Sequence, residues 1–197
     1  MKKLLFIAVI TFFTSATLSA QGVKFGITGG LLNTNADISI SALGFDIANF
    51  KVAKGTGFYI GAIVDIEATD KLHIQPEVTY GSAGDLAYVY VPIMLKYYVV
   101  SKLNIQVGPQ FTFSSNLSEI KGAIKDIEGV LGSNGNVDDV LKSLGVDIGF
   151  GAGFDITDNF SVQARYAIEM TNRYSGPLSN SLKIKSSTLN IGIAYFF

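Results

Sequence analysis

Few residues in this chain have the types that chemistry requires. His73 is the only histidine, and Asp65 and Glu67 precede it across a turn signal at Asp70, so a hairpin there brings the imidazole beside one or the other. Histidine and a carboxylate are two members of a hydrolase triad, which also needs a nucleophile in hydrogen-bond reach of the base. No serine stands in register with His73, and it lies just beyond the turn, so the pattern reads as a hydrogen-bonded structural histidine. Metal binding by His73 with Asp65 and Glu67 matches no ligand spacing. Gly149-Phe150-Gly151-Ala152-Gly153 looks like a nucleotide loop but lacks the full fingerprint and the strand-to-helix context. Zero cysteines exclude disulfides and thiol chemistry. No catalytic, metal-ligating or cofactor-binding residue is assigned, no cofactor is expected, and the chain reads as a non-enzyme.

Four further charged residues are singled out by their positions: Glu77, Lys96, Asp147 and Arg165. Each falls on the polar positions of an alternating segment. Glu77 and Lys96 lie on adjacent segments. Across the turn at Asp158, Arg165 faces Gly149 or Gly151, which leave room for its guanidinium to reach Asp147 or Glu169. The four are expected to form a structural charge network inside a narrow polar lumen.

The elements that position them are eight stretches of period-two patterning, near residues 22–31, 57–68, 72–81, 86–99, 103–114, 144–156, 160–170 and 185–197. Each has about the 9–11 residues that a tilted membrane strand needs, and an even number returns both ends to one side. Three connections are tight: Thr69-Asp70-Lys71-Leu72, Val100-Ser101-Lys102-Leu103 and Thr157-Asp158-Asn159-Phe160. Those between them are mostly longer, at 32–56, 115–143 and 171–184, with a short one at 82–85. Short periplasmic turns and longer external loops are the pattern of outer-membrane barrels. The expected fold is therefore an all-β, eight-stranded antiparallel transmembrane β-barrel.

The two faces separate this from a soluble sandwich. One carries Tyr59, Gly61, Asp65, Gln75, Glu77, Tyr90, Lys96, Gln106, Gln110, Asp147, Gln163 and Arg165; the other carries Phe58, Ile60, Ala62, Val64, Ile66 and their counterparts, with no charge. A basic residue on a lipid face costs about 2–4 kcal/mol at mid-depth. Aromatics near segment ends, such as Tyr97, Phe154 and Tyr195 on the turn side and Phe58, Tyr80 and Phe113 on the loop side, suggest two girdles. Pro76, Pro92 and Pro109 interrupt strand patterns and predict bulges or local breaks. In the long connections, Asp37 to Val52 alternates again, extending the first hairpin or folding over the mouth. Leu117, Ile120, Ile124, Ile127 and Leu131 recur at helical spacing and predict one short amphipathic helix in the third loop.

Lys2 and Lys3 precede an apolar run from Leu4 to Phe13, and small residues lead to Ala20-Gln21, which reads as a cleavable signal peptide over residues 1–20 with the barrel domain over 21–197. Removing Lys2 and Lys3 from the 15 basic residues leaves 13 against 16 acidic, a mature net charge of −3, which offers no footprint for nucleic acid. Charged residues are only 16% of the chain, yet no second long apolar run exists. Dispersed hydrophobicity of this kind suits membrane strands. The partner expected is outer-membrane lipid.

Leu72-His73-Ile74-Gln75-Pro76-Glu77-Val78-Thr79-Tyr80, followed by Val91-Pro92-Ile93-Met94-Leu95-Lys96-Tyr97-Tyr98, resembles the paired motifs of the PorT-like outer-membrane β-barrel domain family. The Gly108-Pro109 step, the glycine-rich sixth segment and the last segment, which ends in Phe197, are similar too. The resemblance covers essentially the mature chain and implies a scaffold in the outer membrane. It permits a role as an accessory of envelope secretion, with envelope protein partners engaged through external loops. A narrow small-solute channel and a soluble periplasmic ligand-binding barrel are the competing readings.

Overall fold

The computed structural model describes residues 22–42, 45–84, 86–114, 144–174 and 182–197. The leader expected over residues 1–20 and the helix expected between Leu117 and Leu131 lie outside the described residues. Eight strands follow in chain order: β1 (Val23–Ala42), β2 (Phe45–Thr69), β3 (Leu72–Ala83), β4 (Leu86–Val100), β5 (Leu103–Ser114), β6 (Leu144–Asp155), β7 (Phe160–Glu169) and β8 (Leu182–Phe196). Each pairs antiparallel with the next, and β1 pairs with β8 from Gly26↔Phe196 to Ile40↔Leu182, which closes the barrel. Closure removes the unpaired edges that an open sheet would present in hydrocarbon.

The period-two pattern gives the wall its two faces. In β7, buried and exposed positions alternate from Ser161 to Glu169. The outward positions form an apolar belt: Phe58 is 73% exposed, Ile60 67% and Phe150 47%. Val64 shares this parity, opposite Phe25 of β1, but is buried. Tyr97, Phe154, Tyr195 and Phe197 stand exposed near the turn-side ends, and Phe58, Tyr80 and Phe113 near the loop-side ends.

Two of the turns use one device. Thr69 Oγ1 accepts from the Leu72 amide at 3.1 Å, and Thr157 Oγ1 accepts from the Phe160 amide at the same distance. A hydroxyl at the first turn position thus satisfies backbone donors that the ladder leaves free. Asn159 adds a side-chain amide bond to the Phe196 carbonyl at 2.8 Å.

One expectation needs correction and another is narrowed. Residues 32–56 are not a connection: β1 and β2 stay paired as far as Ala42↔Phe45, so the renewed alternation after Asp37 is a continued hairpin. Pro76 and Pro92 mark local breaks in the ladder, one of the two outcomes expected of the prolines, and not bulges. Pro76 pairs with Ile93 and Pro92 with Gln110, and although pairing lapses beside them, the register is the same on either side. The register shifts fall instead at the turn-side ends, between Glu67 and Thr69 and between Tyr98 and Val100, and in the β1–β2 extension.

Candidate functional site: a charge network filling the lumen

The inward positions of the strands converge on a polar interior arranged in tiers. Nearest the turns, the register sets His73 beside Lys96 on β4. Both meet Asp65 of β2: His73 Nδ1 bonds Oδ1, and Lys96 Nζ donates to Oδ2 at 2.6 Å. The Tyr98 ring stacks at a tilt on His73, 4.8 Å between centroids, and lies 5.2 Å from Lys96 Nζ. Its hydroxyl donates to Asp155 Oδ2 at 2.7 Å.

The middle tier centres on Arg165. Its Nε donates to Gln106 Oε1 at 2.6 Å, and its Nη2 donates to Glu77 Oε1 at 2.5 Å and to Gln163 Oε1 at 2.8 Å. Gln75 donates to the same Glu77 oxygen at 2.7 Å, and Gln163 reaches Thr28 of β1 at 3.2 Å. The belt therefore ties β1, β3, β5 and β7 across the lumen. Every member is buried, and burial of charge on this scale requires that hydrogen bonds replace the lost water.

The upper tier lies towards the loops. Asp147 Oδ2 accepts from Thr112 at 2.5 Å and from Gln110 at 2.8 Å. Arg173 Nε donates to Glu169 Oε1 at 2.6 Å, its Nη1 bonds Ser114 Oγ, and Glu169 Oε2 accepts from Ser186 at 2.8 Å. Tyr88 and Tyr90 stack 5.5 Å apart beside them.

The strand register explains where the sequence-based pairing differs. Glu77 and Lys96 were expected to share one network, but His73, not Glu77, is the register partner of Lys96. Four residues of strand separate the two positions, about 13 Å, so Lys96 joins Asp65 and Glu77 joins Arg165. Arg165 faces Gly151 as expected. There a Cβ would stand 2.8 Å from Arg165 Cγ, so the glycine clears the path of the side chain. The guanidinium then crosses the lumen to Glu77 instead of following the wall to Asp147 or Glu169. Glu169 is taken by Arg173, a residue that sequence reasoning passed over because it lay in what looked like loop; the Glu169-to-Arg173 spacing was the available signal. Among the described residues, no group of histidine and carboxylates is arranged to hold a metal.

A closed eight-stranded wall, apolar outside and charged inside, has the form of a bacterial outer-membrane barrel. The family model for the outer membrane protein β-barrel domain matches residues 5–197. The chain belongs to that family. Outer-membrane proteins of known structure are similar to it. Neisserial surface protein A is 15% identical over 90% of this chain and 100% of its own, with a TM-score of 0.50. Ail, the attachment invasion locus protein of Yersinia pestis, solved with the heparin analogue sucrose octasulfate, is 12% identical over 90% of this chain and 100% of its own, with a TM-score of 0.45. OprG from Pseudomonas aeruginosa is 14% identical over 89% and 96%, with a TM-score of 0.44. No curated protein matches the sequence. As an outer membrane β-barrel domain located in that membrane, the chain meets lipid through the exposed belt described above.

Proposed function

We propose that this barrel is a non-enzymatic scaffold of the outer membrane whose recognition work is done at its external loops, as an interaction protein for other envelope components. The observation that carries this reading is the Arg165 belt. An eight-stranded barrel is just wide enough to be filled by its own side chains, and here Glu77, Gln75, Gln106, Gln163 and Arg165 fill it with mutual hydrogen bonds. Solute passage would require breaking that belt, so the interior serves rigidity and the rims serve contact. The PorT-like motifs support a more specific version, an accessory of envelope secretion that engages its partners through the segment 115–143. The cleavable leader over residues 1–20 belongs to the same reading.

Co-purification from detergent-solubilised outer membranes tests it. Envelope proteins should accompany the intact barrel, and deletion of residues 117–131 should release them while the barrel remains in the membrane. Unchanged association after the deletion would remove the third loop from the reading. Reproducible single-channel conductance of the wild-type barrel in planar bilayers, altered by Arg165→Ala, would favour the small-solute channel instead.

A further inference from the structure

The outer wall is not evenly filled by its side chains. Across β6, β7, β8 and β1 a groove of about 800 Å³ is cut into the lipid-facing side, within the about 300–1,000 Å³ of small-molecule sites. Its floor is one hydrogen-bonded row of the wall: Gly153 pairs with Gln163, Gln163 with Gly192, and Gly192 with Gly30. Gln163 turns its side chain inward to Thr28, and the other three are glycines, so the floor is bare backbone. Outward side chains form the banks. Phe154, Val162 and Ile193 stand on the turn side of the row, and Ala152, Ala164 and Ile191 on the loop side.

The row sets the length and slope of the groove. From Leu103 on β5 the lining passes through β6, β7, β8 and β1 to Ile60 on β2, five inter-strand steps or about 24 Å. Leu103 opens β5 at the turn side, whereas Ile60 lies three residues from Gly57, where pairing between β2 and β3 ends towards the loops. With strands tilted by about 35–45°, such a row climbs about 14–17 Å through the apolar band. The hydrocarbon core is about 30 Å thick, so the climb matches one leaflet. The banks are two residues apart along each strand, about 7 Å. A helix with its side chains needs about 10–12 Å, and the convex wall of a second barrel is broader still. An extended hydrocarbon chain fits.

A charge stands at the turn-side end. Lys102 precedes Leu103, and its carbonyl accepts from the Asp155 amide at 2.9 Å, next to Phe154 of the bank. Its exposed ammonium donates to the Ile156 carbonyl at 3.2 Å, and an ammonium has three donors to share. Of the carboxylates in that turn, Asp155 accepts from Tyr98 at 2.7 Å, and Asp158 has the Lys24 ammonium on its carbonyl at 3.1 Å.

We propose that the groove binds one phospholipid of the periplasmic leaflet, with an acyl chain on the glycine floor and the phosphate on Lys102. The short turns of outer-membrane barrels lie on the periplasmic side, which sets Lys102 at the level of that leaflet's headgroups. Elsewhere on the belt lipid is an exchanging solvent; here it is a ligand with a fixed place, and it covers the backbone of the seam where β8 meets β1.

The experiment uses the full-length folded barrel in detergent, incubated with phosphatidylglycerol and read by native mass spectrometry. The wild type should retain one lipid per barrel, and diacylglycerol, which lacks the phosphate, should be retained several-fold less. Ala164→Trp, which lays an indole across the groove from an exposed position, should abolish retention, and Lys102→Glu should lower it several-fold. The comparison of the two lipids on the wild type keeps the test available if a variant does not fold. Absence of retained lipid, a spread of lipid numbers that both variants leave unchanged, or equal retention of the two lipids would overturn the proposal. A dimer mass that Ala164→Trp removes would overturn it too and assign the groove to a second copy.

Discussion

Arg165 on β7 and Glu77 on β3 are 88 residues apart in sequence and joined across the lumen by a 2.5 Å bond from Nη2 to Oε1. Neither strand touches the other through its ladder. The pair is therefore a cross-brace, and its energetics are those of a buried ion pair: removing one partner strands the other charge. Arg165→Ala or Glu77→Ala should each destabilise the barrel by about 3–5 kcal/mol. Urea titration of unfolding from lipid bilayers measures this, and replacing both residues with apolar side chains of similar volume should recover most of the loss.

The apolar belt makes a depth-dependent prediction. Val78 and Ile191 face outward well inside the wall, whereas Leu103 sits at the turn-side end of β5. Arginine at Val78 or Ile191 should cost about 2–4 kcal/mol, and at Leu103 about 0–1 kcal/mol. The same titration, run on the three single variants, should order them this way; equal costs would mean that the belt is not a membrane-facing surface.

Gly151 has a narrower role. Any Cβ there would crowd Arg165 Cγ, and the Ala164 carbonyl lies closer still. Gly151→Ala should therefore cost about 1–3 kcal/mol through overpacking, and more of this penalty should vanish in an Arg165→Ala background than two independent changes allow. A double-mutant cycle reads that coupling.

Thr69 and Thr157 offer a matched pair of controls. Each accepts backbone amides in its turn, so Thr→Ala at either site should cost about 0.5–1.5 kcal/mol, and Thr→Ser should restore most of it. Refolding yield into detergent micelles gives a second readout.

Eight strands, closure and the direction of each face were legible because a period of two admits only two assignments, and the absence of charge on the Phe58–Ile60 face decides between them. What could not be read was which charge meets which. Alternation places Glu77, Lys96 and Arg165 inside, but their pairing depends on strand stagger and on reach across the lumen, and a shift of one hydrogen-bonded step redistributes every partner. The continued pairing after Asp37 was visible as renewed alternation but not separable from a folded-over loop. Arg173 escaped notice because its partner Glu169 ends β7 and the cation lies just outside any patterned segment.

The seam between β1 and β8 bears on how such a chain comes into being. Segments 26–40 and 182–196 must meet before any wall exists, so none of the intervening hairpins can shelter its own backbone polar groups from hydrocarbon alone. Until that seam forms, the first and last strands each keep an open edge and the apolar faces have no lipid to meet, so the wall is gained or lost as a whole and not strand by strand.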